Sequence, residues 1–236
     1  MQHGIIYPTH PSYNTILKAK AIAYKPDHIF CYGHNDKKCL ENLGYLNSRN
    51  IHVVGSYGLW KFKNYKFQTG DYLNEKIEIK KKTALVIATV NDIDQLYKFC
   101  TELDNIEIDY TFLILPRYGI NHLKNTNGVK VLDPNRTNIF EAYQVSDLLL
   151  TMSSSSALES LFLGIPTFII EKGAKSIFKI NYSFINSFNY IKSPQEFGNL
   201  LLTESYTIPS ADDINAVYAL EVMDNFKTAL DKVLNV

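Results

Sequence analysis

Cysteine is scarce here: Cys31, Cys39 and Cys100 form no CxxC pair and are odd in number. They provide neither a disulfide framework nor a zinc site and read as reduced cytosolic thiols. An excess of either charge is also missing. The 24 Lys and Arg balance 24 Asp and Glu. That balance excludes a general nucleic-acid binder, which needs a basic face. No apolar run approaches the ~20 residues of a membrane helix. The opening MQHGIIYPTHPSY lacks a basic start and a long apolar segment, so it does not read as a secretory leader. Internal repeats and low-complexity tracts are absent. His28, His34, His52 and His122 lack metal-ligand spacing. What the chain does have is 46% hydrophobic residues, enough for a substantial core and too many for disorder. Its 236 residues suit one large domain or two small ones.

The most informative stretch is Val145 to Glu171, VSDLLLTMSSSSALESLFLGIPTFIIE. Asp147 to Thr151 is a short apolar run, as expected of a strand buried on both faces. Ser153 to Ser156 follow at its carboxyl end. Ala157 to Leu163 then predict a short helix closed by Gly164, with Pro166 just beyond and a strand over Pro166–Ile170. Hydroxyls and helix N–H groups are thereby aimed where a parallel α/β sheet binds its ligand. Two readings stand side by side. The serines form a phosphate cradle, or they cap the helix.

Strand and helix signals alternate in two blocks. In the first, His28–Tyr32 and Ile51–Val54 read as strands around a helix over Asn35–Leu43. Asn35 and Asp36 are cap candidates there, and Gly33 and Gly55 sit at the strand ends. Lys61 to Lys82 carries seven lysines and no regular apolar period, so it reads as a solvated linker. In the second block, strands are predicted over Ala84–Ala88, Thr111–Leu115 and Val129–Leu132. Helices are predicted over Asp92–Leu103 and Asn138–Gln144. Ser193-Pro194-Gln195-Glu196 is a helix start, and Ser210–Val233 reads as one long terminal helix. Such alternation implies a parallel sheet covered on both faces, an α/β Rossmann-like architecture. The expected division is a partial first domain over 1–60, a linker over 61–82, a ligand-binding domain over 83–204 and a terminal helix over 205–236.

These residues resemble the GT-B glycosyltransferases. The likeness is to the bacterial surface-polysaccharide branch, with its CDP-glycerol glycerophosphotransferases and capsule sialyl- and Kdo-transferases. Three motifs carry it. Gln2-His3-Gly4 is similar to the HG motif of the acceptor-side half. Leu115-Pro116-Arg117 is similar to a His-Pro-Arg type sequence. The serine cluster with Ala157-Leu158-Glu159 and Leu163-Gly-Ile-Pro166 is similar to the SS…E…LGKP of the donor site. The likeness runs from Gln2 to about Lys172. Two departures stand out. Leu115 replaces the usual histidine, and only the last part of a first domain is present. The second departure implies a fragment, a truncated product, or one half of a split enzyme whose missing domain is a separate chain.

What the resemblance implies is a transferase with a nucleotide-activated donor, CMP- or CDP-linked or else UDP-linked, and a glycan or lipid-linked acceptor. It would be cytoplasmic, peripheral at the inner face of the membrane. Ser154, Ser155 and Ser156 would hold the donor phosphate, helped by the helix dipole. Because such donors replace a divalent ion, and no DxD signal occurs in a convincing loop, no metal and no cofactor are expected. Arg117 follows a buried strand and either forks onto a phosphate or is a surface arginine. Arg136 and Pro116 are secondary candidates. Glu159 either accepts from a ribose hydroxyl or compensates the helix dipole. His3 is the candidate general base, since imidazole titrates near neutral pH, with His10 as the alternative. A UDP-sugar 2-epimerase-like enzyme and a non-catalytic nucleotide-binding module are the rival readings.

Overall fold

The computed structural model describes residues 6, 26–44, 46–65, 70–76, 81–103, 106–117, 122–171 and 177–234. The chain divides into two units: residues 1–64 together with 211–236, and residues 65–210.

Unit 1 contains a parallel pair, β1 (Ile29–Cys31) and β2 (Ile51–Val53), in the register Phe30 to His52. Helix α1 (His34–Asn42) connects them, and α2 (Tyr57–Asn64) follows β2. Ile6, Ile29, Cys31, Leu40 and Ile51 form the apolar core. Helix α2 was not predicted. Its lysines, Lys61 and Lys63, gave the sequence the look of a linker, while Leu59 supplies the buried contact.

Unit 2 begins with a single helical turn, α3 (Asp71–Asn74). This turn also lies inside the stretch read as solvated linker. Leu73 is buried there, so an apolar anchor among lysines overrides the composition. The chain then alternates: β3 (Lys82–Ala88), α4 (Ile93–Leu103), β4 (Tyr110–Pro116), β5 (Val129–Val131), α5 (Ile139–Gln144) and β6 (Leu148–Thr151). It continues through α6 (Ser156–Leu163), β7 (Thr167–Ile170), α7 (Ile177–Asn181), β8 (Phe188–Ile191) and α8 (Pro194–Thr203). The strands form one six-stranded parallel sheet in the order β5-β4-β3-β6-β7-β8.

The apolar runs are explained by burial of both faces. Ala84, Val86, Phe112, Ile114, Leu148, Leu150 and Phe168 pack against Leu96, Phe99 and Leu103 of α4 and Phe197 of α8. The intervening residues Leu85, Leu113, Leu149 and Ile169 are buried too, on the opposite face. Local signals set the helix ends. Ser193 Oγ accepts from Glu196 N at 3.2 Å, and Glu196 Oε2 accepts from Lys192 N at 2.7 Å, with Pro194 in the first turn. Asn138 Oδ1 caps α5 through Phe140 N at 3.0 Å. Gly164 ends α6 at φ 77°, a left-handed geometry that glycine adopts without a Cβ penalty.

The terminal segment is two helices, not the one predicted: α9 (Ala211–Val217) and α10 (Val222–Leu234). Neither proline nor glycine separates them. The break comes from unit 1 itself, where Ala219 N donates to Tyr32 O at 2.9 Å and the Tyr218 ring stacks on Tyr32. No helix among the described residues is long and apolar enough to cross a membrane.

Candidate functional site

Strand order reverses between β3 and β6. Chain progress from β3 runs outward to β4 and β5, then returns to the other side of β3 for β6, β7 and β8. In open parallel sheets the carboxyl ends at such a switch point frame the ligand crevice. Here the register places Ala88 beside Pro116, and Thr151 Oγ1 donates to Ile87 O at 2.8 Å. The ends of β3, β4 and β6 are therefore level, and Thr89, Arg117 and the serine turn project from one edge of unit 2.

One carboxylate ties two of these turns together. Asp92, 5% exposed, accepts from Thr89 N at 2.5 Å through Oδ1 and from Ser153 Oγ at 2.7 Å through Oδ2. Thr89 Oγ1 lies 3.5 Å from Ser153 Oγ. The sequence marked Asp92 only as a helix start. A threonine leaving a strand with an aspartate three residues later is a local turn signal, but its partner lies 61 residues away.

The four serines divide their work. Ser153 belongs to the Asp92 cluster. Ser154 N donates to Thr151 Oγ1 at 3.3 Å, and Ser154 Oγ accepts from Ser156 N at 3.3 Å while lying 2.9 Å from Ser156 Oγ. Ser156 is buried behind it, next to Tyr143. Ser155 occupies the cap position of α6 in a helical conformation and makes no side-chain capping bond. Ser154 thus does the capping, while the Ser155 hydroxyl is the one left over from it.

Glu159 sits in the first turn of α6, where its Oε2 accepts from Tyr143 OH at 2.8 Å. Burial pushes its carboxyl above the usual 4.5, partly offset by the Tyr143 bond. Burial, then the Glu159 charge, drives Tyr143 well above 10. A carboxylate with a raised folded-state pKa binds protons more readily folded than unfolded just above pH 4.5. Its contribution to stability is then complete below pH 4.5 and falls as pH rises through the folded value. Glu159→Gln keeps an acceptor for Tyr143 OH and removes the charge. It should raise the thermal midpoint at pH 7, by an amount that shrinks toward zero at about pH 4.5. Calorimetry across that range checks it, and a lower midpoint at pH 7 would refute the burial cost.

Arg117 is exposed, directly after β4, while Pro116 is buried as its last residue. Arg136 lies in the turn after β5 with its guanidinium 4.1 Å from the centre of the Tyr72 ring. Tyr72 OH in turn accepts from Asp133 N at 2.8 Å. Arg136 is thus held by an aromatic face. His3 and His10 lie outside the described residues. Among the described residues no group of three His, Cys, Asp or Glu could hold a metal ion.

A six-stranded parallel sheet with helices, its strand order reversed between β3 and β6, is a Rossmann-like α/β architecture. The solved structures it resembles are of that type. A UDP co-structure of MnaA from S. aureus aligns with a TM-score of 0.64 at 14% identity, over 92% of this chain and 62% of that one. The wall teichoic acid polymerase TagF aligns at 0.59 and 16%, over 99% and 64%. A UDP-N-acetylglucosamine 2-epimerase aligns at 0.55 and 13%, over 88% and 57%. The chain thus spans about three-fifths of the length of these structures. No family model matches it, and no curated protein does.

Proposed function

We propose that this chain is the nucleotide-binding part of a GT-B-type enzyme that uses a nucleotide-activated sugar or polyol in bacterial surface-glycan assembly. The observation that carries this reading is the Asp92–Ser153 link, 2.7 Å long, at the switch point. It fixes the serine turn beside the turn after β3, at the carboxyl edge of the sheet. Structures of MnaA with UDP and of TagF soaked with CDPG share this fold, which supports a nucleoside-diphosphate-linked donor.

In this reading, Ser154 and Ser155 with the first N–H groups of α6 hold the donor phosphate, and Ser156 braces Ser154 from behind. Arg117 adds a charged fork. Glu159 accepts from a ribose hydroxyl, at the stability cost that its burial entails. Transfer takes an acceptor hydroxyl, from a glycan or lipid-linked acceptor. Its oxygen bonds to the donor carbon or phosphorus as the bond to the nucleotide breaks. The proton goes to His3 or His10, and the new negative charge stays on the departing phosphate, which the serine turn stabilises. Neither metal nor cofactor is required in this scheme. The acceptor side needs sequence beyond unit 2, and a second chain is a candidate source.

A 2-epimerase-like activity on a UDP-linked sugar is the second reading, supported by the fold shared with a UDP-N-acetylglucosamine 2-epimerase at a TM-score of 0.55. Calorimetric titration with CMP, CDP and UDP separates the two. The expected result is binding of one nucleotide, weakened about tenfold or more by Ser155→Ala and by Arg117→Ala, since bonds to charged groups are worth about 1.5–3 kcal/mol. A preference for CMP or CDP favours polyol-phosphate or sugar transfer over the epimerase. With a preference for UDP, conversion of a UDP-linked sugar to its 2-epimer without an acceptor marks the epimerase, and its absence marks transfer. A folded chain that binds none of the three removes the donor-site assignment.

A further inference from the structure

Unit 1 contains a cleft that the reading above leaves unused. It encloses about 460 Å³, within the usual range for small-ligand sites. Its walls come from α1, the turn before β2, β2 itself and α10. Lys37, Arg49 and Lys232 bring three permanent positive charges from three separate elements, with His34 and His52 between them. No carboxylate is among the residues lining it. Glu41 stands just outside, 3.9 Å from Lys37 Nζ, and accepts from the Ser48 hydroxyl. Arg49 and Lys232 have no ion pair among the described residues. The floor is apolar, from Ile51, Val53 and Ala229.

The field inside the cleft registers on one ring. His52 lies 3.0 Å from His28, Nε2 to Nδ1. Burial lowers its basicity below the usual 6.5, and His28, Lys232 and Lys37 lower it further. Three cations from three elements, gathered around a partly enclosed apolar floor with no resident acid, exceed what a solvated surface requires. Repulsion among them is relieved by an anion.

We infer that this cleft binds a small phosphorylated molecule with at least two negative charges, a phosphate monoester or a pyrophosphate. Arg49 supplies a planar fork for two phosphate oxygens, while Lys37 and Lys232 act as point charges. Asn225 and Thr228 of α10 offer neutral polar groups on the same wall. Glu41 already faces Lys37, so a carboxylate monoanion would balance only one of the two unpaired cations, Arg49 and Lys232, and a doubly charged phosphate fits the charge better. The site lies wholly within unit 1 and does not depend on the donor-site reading for unit 2.

The test is titration of the full chain with inorganic pyrophosphate, followed by imidazole NMR signals of His34 and His52. Saturable shifts of both are expected, with the titration midpoint of His52 moving up as the anion offsets Lys37, Lys232 and the other cations. Arg49→Ala with Lys232→Ala should weaken the shifts at least tenfold. Both positions are exposed, so the variant is expected to keep its circular dichroism and thermal midpoint. Ser155→Ala in unit 2 should leave the His34 and His52 titration unchanged, which keeps this outcome separate from that of the nucleotide site. The inference is overturned if pyrophosphate leaves both signals in place, or if the double variant responds as the unaltered chain does.

Discussion

Replacing Gly33 by alanine should strip α9 from unit 1. A Cβ at this position would lie 1.8 Å from Val217 O and 2.6 Å from Val217 C, both backbone atoms that no side-chain rotation can move. Gly33 has extended backbone geometry, so the obstacle is the close approach and not the torsion angles. The chain could retreat only by giving up the bond from Ala219 N to Tyr32 O, the stack of Tyr218 on Tyr32, and the bond that Asn35 donates to Ala216 O. The expected loss is at least the upper end of overpacking, roughly 3 kcal/mol. For a unit of this size that is a fall of roughly 12 °C or more in thermal midpoint. Gly198→Ala is the comparison, because its Cβ would meet side-chain atoms and no backbone: Ile106 Cδ1 at 3.1 Å and Cγ2 at 3.4 Å, and Leu103 Cδ2 at 3.9 Å. Calorimetry with limited proteolysis of residues 211–234 reads both. A Gly33→Ala chain as stable and resistant as the original would mean that the close approach is not kept in solution.

Phe197→Ala should cost unit 2 about 3–5 kcal/mol. Phe197 is fully buried in α8, where its ring meets Phe168 edge-on at 4.8 Å and lies 6.0 Å from Phe99 and 6.3 Å from Phe112. It is therefore the shared contact of β4, β7, α4 and α8. Truncation leaves a cavity bounded by a sheet and a helix, neither of which collapses easily. Phe197→Leu keeps most of the volume and should cost less than about 1.5 kcal/mol. Urea denaturation distinguishes the two. An alanine variant within 1 kcal/mol of the original would remove Phe197 from its place at the centre of this core.

The parallel sheet was legible because burial on both faces writes an uninterrupted apolar run, as in Ala84–Ala88, Thr111–Leu115 and Leu148–Thr151. The caps at Ser193 and Gly164 were legible because they act within a few residues of themselves, whereas α1 takes Gly33 at its cap position and not Asn35 or Asp36. Strand β8 was missed. Its burial alternates irregularly, and Asn189 is occupied by bonds to Thr207 N and Thr207 O, a contact that no local pattern announces. The division of the terminal helix was missed for a similar reason, since tertiary bonds to Tyr32 set it. Part of the candidate site was readable. Four serines after a buried strand mark a turn, but their separate duties depend on Asp92, Thr151 and Tyr143. Glu159 was singled out from its place in the motif that the chain shares with the resembling family, and its bond to Tyr143 emerged only from folding.

Unit 1 draws on both sides of the interruption between residues 64 and 211, and this constrains how the chain can be made. Synthesis at about 5–20 residues per second puts roughly 8–30 s between the emergence of α2 and that of α9. During that interval Cys31, Leu40 and Ile51 have no α9 or α10 to cover their layer, whereas unit 2 has every strand that it needs. Unit 2 is then the part that closes during translation, and unit 1 the part that waits for its own far end. Any event that stops synthesis shortly after Ser210 leaves a finished unit 2 attached to a unit 1 that lacks α9 and α10.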